Sequence, residues 1–379
     1  MDNKKSVKLF LDGLSVGYDK KPLISGMTLH VAQGEIVTLI GPNGSGKTTV
    51  LRGISKQLAL MAGTVYLDGT DTGRMSGREL AEKMAVVMTD RVFPDMMTCR
   101  EMVAQGRYPY TGRFGLLSSH DREIIEDALR TVNAEDIADK DIANISDGER
   151  QRIFLARALA QEPEVIVLDE PTSFLDIRHK TELLDILHRF SRVKGITVVM
   201  SMHEIDLAER ISDKIVCIKD GMIAGSGRPE DVFTDEMISY LYGMDKGSFN
   251  VLLGSIELGK PEGEPRVFVI GGEGYGIRFY RALQKKSIPF SAGILFKNDI
   301  DFYIAEALAA TVVSAEPFTE IDGELIKNAK MLLDASEAVI DSGCPERELN
   351  PSSRILRDHA RETGKRIILT PENLDEVEK

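Results

Sequence analysis

Gly41-Pro42-Asn43-Gly44-Ser45-Gly46-Lys47-Thr48-Thr49 has the form G-x-x-x-x-G-K-[ST], and its reading decides the fold. Ahead of it, Glu35-Ile36-Val37-Thr38-Leu39-Ile40 has the apolar character of a buried strand, and Thr48-Thr49-Val50-Leu51-Arg52 begins a helix. A phosphate-binding loop needs that context. Glycines let backbone N–H groups close around phosphate oxygens, and the helix N-terminus adds the positive end of its dipole. Lys47 is then expected to reach the β- and γ-phosphates of a nucleotide, and the Thr48 hydroxyl to ligate Mg²⁺. A glycine turn that merely carried Lys-Thr would not require the strand and the helix on either side.

The 379 residues exceed one ordinary core, so two domains are the starting expectation. A net charge of −13 argues against a general nucleic-acid binder, which presents a basic face. Cys99, Cys217 and Cys344 fit no metal or CxxC spacing and suit a reducing cytosol. Met1-Asp2-Asn3-Lys4-Lys5 leads into strand-like Val7–Leu11 rather than a signal-peptide core. No apolar run approaches the ~20 residues that span a bilayer, so work at a membrane requires a partner to hold the chain there.

Val7 to Val16 alternates as a half-buried strand that ends on Tyr18, an aromatic suited either to an edge position or to stacking on a purine. Thr64–Gly69 has the pattern of a strand and turn, Ser76–Lys83 of a helix, and Ala85–Met88 of a short buried strand. Residues 95–145 look helical: Ile124, Ile125, Ala128, Leu129 and Val132 share one face. A helical subdomain is therefore inserted into an α/β pattern.

Ser146 and Glu149 have capping-box spacing ahead of the helix Ile153–Leu159. The segment is either a well-capped helix start or a second anion site, since the same N–H groups bind phosphate. Val165-Ile166-Val167-Leu168 is an uninterrupted apolar strand of the parallel type, and it ends in Asp169-Glu170. Carboxylates there face the ligand crevice. Asp169 is expected to hold Mg²⁺ with Thr48, and Glu170 to accept a proton from attacking water, a role worth about 10²–10⁴ in rate. His203, after the strand Ile196–Ser201, is the candidate γ-phosphate contact.

Together these residues resemble an ABC-type ATPase domain. Tyr18 matches the adenine-stacking aromatic, and Gly41–Thr49 matches Walker A. Ile145–Glu149 matches the signature, usually L-S-G-G-Q, and Val165–Glu170 matches Walker B with its catalytic glutamate. Ser173-Phe174-Leu175-Asp176 matches the D-loop and His203 the switch histidine. In that family two domains sandwich two ATP molecules, each between one Walker A and the partner's signature. The resemblance implies a homodimer with ATP as substrate, Mg²⁺ as cofactor, and Ser146, Gly148 and Glu149 acting in trans.

Gly106-Arg107-Tyr108-Pro109-Tyr110, Asp176-Ile177-Arg178-His179, His203–Ala208 and Gly227–Phe233 look like ATPases of importers for iron-siderophores, haem and cobalamin. That resemblance implies integral membrane permease subunits, indirect dealings with a substrate-binding protein, and a peripheral place at the cytoplasmic face of the inner membrane. Two departures stand out. The family's Q-loop glutamine falls on Thr89-Asp90, and Asp147 replaces the first signature glycine. Arg150 and Arg152 are the nearest candidates to offset that added charge.

The expected fold is α/β: a P-loop NTPase domain of the ABC ATPase type over 1–245, a Gly/Pro-rich linker over 246–264, and a small Rossmann-like domain over 265–379. The linker includes a short strand at Val251-Leu252-Leu253. In the last domain, strands at Arg266–Ile270, Phe290–Phe296, Thr311–Ser314, Ala338–Asp341 and Arg366–Leu369 alternate with helices. Its loop Gly271-Gly272-Glu273-Gly274-Tyr275-Gly276 lacks the G-x-G-x-x-G spacing. It is either a tight turn or, with Asn298 and Asp299, a regulatory site for a small anionic ligand.

Competing readings are a soluble ABC ATPase acting on ribosomes or DNA, and a non-hydrolysing regulatory module. The first is disfavoured by the acidic balance, by a single ATPase set and by the lack of heptad coiled coils. On the importer reading, Thr89→Gln is expected to be tolerated and Asp90→Ala to uncouple uptake from ATP turnover. Normal transport by Asp90→Ala would remove Asp90 from that role.

Overall fold

Alternating apolar residues draw β1 (Val7–Tyr18) and β2 (Lys21–Ala32) into an antiparallel pair, with Leu9 opposite Val31, Leu11 opposite Leu29 and Val16 opposite Ile24. All of these side chains are buried. The computed structural model describes residues 6–88, 96–112, 115–244, 247–250, 254–346 and 352–376. They fall into two compact units, Met1–Tyr242 and Gly243–Lys379.

In the first unit, β3 (Ile36–Ile40) is buried throughout and α1 (Lys47–Ile54) follows the glycine loop. β4 (Ala62–Leu67) and β5 (Thr70–Asp71) join the antiparallel sheet, ordered β2-β1-β4-β5. α2 (Gly77–Lys83), with a Ser76/Glu79 capping box, leads into β6 (Met84–Val87). α3 (Cys99–Ala104), α4 (Ser119–Thr131) and α5 (Asp147–Ala160) pack on one another as the inserted helical layer.

The main sheet is completed by β7 (Val165–Asp169), which leads to α6 (Ile177–Arg192), and by β8 (Thr197–Ser201), which leads to α7 (Ile205–Ile211). β9 (Lys214–Lys219) and β10 (Met222–Gly227) follow, then α8 (Pro229–Val232) and α9 (Asp235–Tyr242). The strand order is β10-β9-β3-β8-β7-β6, with parallel pairing except between β9 and β10. β3, β7 and β8 are buried at every position, as expected of parallel strands covered on both faces. The segments that follow their C-terminal ends therefore share one edge.

In the second unit, β11 (Ser248–Asn250) and β12 (Ser255–Glu257) form a hairpin where the sequence suggests a linker with a single short strand. Buried Glu257 fixes it by an ion pair with Arg281. The strand expected at Val251–Leu253 lies outside the described residues. β13 (Val267–Ile270), α10 (Ile277–Lys285), β14 (Phe290–Phe296), α11 (Ile300–Leu308) and β15 (Thr311–Ala315) come next. α12 (Gly323–Ala335), β16 (Ala338–Asp341), α13 (Ser352–Glu362) and β17 (Arg366–Ile368) complete the unit. The parallel sheet runs β15-β14-β13-β16-β17, with one core against α10 and α11 and another against α12 and α13. This is the doubly wound arrangement that the alternation of elements implies.

One buried cation ties the helical layer to the base of the main sheet. Arg107, 3% exposed, donates to Asp121 Oδ1 (2.8 Å), to the Ala160 carbonyl (2.7 Å) and to Glu162 Oε2 (2.8 Å). Its guanidinium also lies over the Tyr110 ring at 4.0 Å. Hydrogen bonds from Ser118, then Arg107, hold the Asp121 carboxyl down at about 2. A carboxylate depressed on folding stabilises the fold above its unfolded pKa and loses that contribution as pH falls towards the folded one. Urea unfolding should show stability declining from about pH 4 towards 2, and Asp121→Asn should decline less over that interval. At neutral pH Arg107→Ala, which strands Asp121, should cost about 3–5 kcal/mol; a change under about 1 kcal/mol would mean the cluster behaves as a surface pair.

Candidate functional site

Gly46 closes the loop in the left-handed region (φ 101°), and a Cβ there would lie 2.7 Å from Cδ1 of Ile24 on β2. The loop thus sits against the β1–β2 hairpin, in which Tyr18, 46% exposed, ends β1. Lys47 is buried, and its ammonium donates to the carbonyls of Gly41 (2.7 Å) and Pro42 (3.1 Å). Burial lowers its pKa against the opposing pull of Glu170 and Asp169. Asn43 and Gly44 form the exposed tip, while Thr49 is buried behind them. Ser45 Oγ is buried with no hydrogen-bond partner.

Asp169, at the end of β7, is 4% exposed. Its Oδ1 accepts from Thr48 Oγ1 (3.0 Å) and from Ser201 Oγ (2.7 Å), and Ser201 Oγ accepts from the backbone N–H of Glu170 (3.0 Å). The start of α1 and the ends of β7 and β8 are joined through one carboxylate. Glu170 itself has φ 46°, a sparsely populated conformation for a residue with a side chain. Its Oε2 accepts from Ser173 Oγ (3.0 Å), and its Oε1 meets Nε2 of His203. The structure therefore brings Lys47, Thr48, Asp169, Glu170 and His203 to one edge. Ser201 is the participant that sequence reasoning missed; its signal was a polar residue closing the apolar run Val198-Val199-Met200.

The signature-like residues lie at the N-terminus of α5. Ser146 Oγ accepts from the Glu149 N–H (3.3 Å) and donates to Glu149 Oε2 (2.7 Å), which also takes the Ser146 N–H (2.8 Å). Those bonds lower the pKa of Glu149 and commit its carboxylate to the cap, leaving Ser146 exposed and Gly148 buried. Asp147 pairs with Arg150 at 2.7 Å. Arg152, the other expected counter-charge, instead donates to the Asn133 carbonyl. Asp176 caps α6 by accepting from the His179 N–H (2.9 Å). Thr89 and Asp90 lie outside the described residues.

The second glycine loop does not present a free anion cradle, which corrects the sequence-based option of an anionic ligand there. Asp301, fully buried, accepts from the N–H groups of Gly272 (2.5 Å), Gly276 (2.9 Å) and Ile277 (3.2 Å). Asp299 takes the Glu273 N–H (2.8 Å). Burial raises the pKa of Asp301, and those N–H bonds oppose the shift. Tyr280 fills the remaining space against Gly271 and Gly276, where a Cβ would overlap its hydroxyl. The protein's own carboxylates stand where a phosphate would.

The ABC transporter family model matches residues 24–173, and a model named the MJ0874 family matches residues 290–378. An ABC transporter ATP-binding protein of Methanocaldococcus jannaschii is 42% identical over 75% of this chain and 98% of its own length. A siderophore transport system ATP-binding protein of Bacillus subtilis is 37% identical over 61% of this chain and 84% of its own. The ferric enterobactin transport ATP-binding protein of Escherichia coli is 33% identical over 61% and 85%. Among solved structures, a dimeric ATP-binding cassette bound to ADP and phosphate superposes with a TM-score of 0.53 and 27% identity, covering 58% of this chain and 98% of that one. The loop, the paired acids and these relatives lead to one assignment: the chain belongs to the ATP-binding, ATP-hydrolysing subunits of ABC transporters.

Proposed function

We propose that the chain powers an importer for a metal chelate of the iron-siderophore, haem or cobalamin kind, working as a homodimer against a membrane permease that a substrate-binding protein serves. The observation that carries the catalytic part is the convergence of Thr48, Asp169, Glu170 and His203 on the edge occupied by Lys47. The transport part draws on the siderophore-transport relatives. No described helix is long and apolar enough to cross a membrane, so a permease partner provides the place at the cytoplasmic face of the inner membrane.

Lys47 exchanges its loop carbonyls for the β- and γ-phosphates of ATP, and the N–H groups at the start of α1 receive the same anion. Tyr18 offers its exposed ring to the adenine. Thr48 and Asp169 supply hard oxygen ligands of the kind Mg²⁺ takes, and they would hold it. Held by Thr48 and Asp169, Mg²⁺ would supply positive charge to offset that on the transferring phosphoryl group. Glu170 accepts the proton of the attacking water, oriented by His203 and Ser173. Ser146 and Gly148 complete the partner's nucleotide site in trans, with Glu149 serving the cap and Asp176 the adjoining turn. The C-terminal unit is read as regulatory or structural rather than as a second nucleotide site, because its glycine loop is already filled.

Glu170→Gln should retain ATP binding and lower steady-state turnover by about 10²–10⁴; undiminished hydrolysis would remove Glu170 as the base. Arg150→Ala leaves the Asp147 charge facing a γ-phosphate, so ATP turnover should fall roughly two- to fivefold. Asp147→Gly in the same chain should restore it. Failure of that restoration would mean that Arg150 acts through Ile145 and Ile142, whose carbonyls it also holds.

A further inference from the structure

Gly148 has no room for a side chain. A Cβ there would lie 2.5 Å from Cγ and 2.9 Å from Nδ1 of His179, although its φ is not left-handed. The demand for glycine comes from the neighbour and not from the backbone. That neighbour is held in place by the residue that caps its helix: Nδ1 of His179 bonds Asp176 Oδ1 at 2.8 Å, and the same oxygen accepts the His179 N–H at 2.9 Å. The imidazole is therefore a half-buried ring held by Asp176 and lying against the first turn of α5.

The next residue reaches the other way. Lys180 Nζ donates to Glu204 Oε1 (2.7 Å), and Glu204 Oε2 accepts from Thr172 Oγ1 (2.8 Å). Glu204 follows His203, which holds Glu170. The first turn of α6 thus touches the Ser146–Gly148 turn through His179 and the His203–Glu204 segment through Lys180.

We infer that His179 is a positioning residue, and that the first turn of α6 clamps the Ser146–Gly148 turn of one chain to that chain's own Glu170–His203 pair. The inference rests on the dimer reading above. There the Ser146–Gly148 turn serves the partner's nucleotide while Glu170 and His203 serve the chain's own, so the clamp joins the two sites through side chains of a single chain. The joint is steric on one side and ionic on the other, so each half can be removed separately.

ATP-driven dimerisation of the full chain carrying Glu170→Gln, followed by sedimentation, tests it, with ATP binding to the monomer measured in parallel. Gly148→Ala overpacks the His179 contact and should raise the ATP concentration needed for dimerisation by about tenfold. His179→Ala alone should raise it about threefold, because the turn loses its support. The double variant Gly148→Ala/His179→Ala should return to the level of His179→Ala, and His179→Ala should leave monomer ATP affinity unchanged. A double variant no better than Gly148→Ala would overturn the clamp, as would a His179→Ala chain that loses monomer ATP binding as much as it loses dimerisation. A parent chain that stays monomeric with ATP overturns the dimer reading and the clamp with it; a parent that dimerises confines any failure to the clamp.

Discussion

The site depends on one carboxylate accepting two hydroxyls. Asp169 Oδ1 takes Thr48 from the helix after β3 and Ser201 from the end of β8, and Ser201 in turn takes the backbone N–H of Glu170. A buried carboxylate is costly unless its lone pairs are used, so the arrangement is self-enforcing: moving any strand end strands a buried acceptor. Register between β7 and β8 is thereby tied to the position of the glycine loop. The backbone of Glu170 holds its unusual φ because the Ser201 hydroxyl and the Ser173–His203 contacts fix it from both ends.

Much of this was legible in the sequence because fully buried parallel strands are nearly continuous apolar runs, and Ile36–Ile40, Val165–Leu168 and Thr197–Met200 stand out as such, with Thr38 and Thr197 their only polar members. β2 was not legible. Its first three residues are exposed, it carries Pro22 and Gly26, and its alternation emerges only from Met27 onward. β10 buries none of its residues fully, so no period marks it. Both strands take their definition from a neighbour, β1 and β9 respectively, and a local pattern cannot report that. The hairpin at β11 and β12 was hidden by its glycines, and its anchor, Glu257–Arg281, spans residues far apart in the chain.

The two glycine loops show the same limit at the level of chemistry. Each follows a buried strand and precedes a helix. In the first, the Lys47 ammonium rests on the backbone carbonyls of Gly41 and Pro42. In the second, Asp301 has entered from the start of α11 and satisfied the N–H groups permanently. What separates a binding loop from a structural one is a residue about thirty positions away, brought back by β14 in the manner of a βαβ unit.

Arg107 gives the helical layer a mechanical character. It grips the last turn of α5 through the Ala160 carbonyl, while Ser146 caps the opposite end of that helix, about 21 Å away at 1.5 Å per residue. Beside Arg107 in the chain, Tyr108 stands 81% exposed. The helix is thus a rod with a handle at one end and the Ser146–Glu149 capping box at the other. A tilt of about 5° at the handle swings the cap by about 2 Å over that length, enough to make or break a hydrogen bond there.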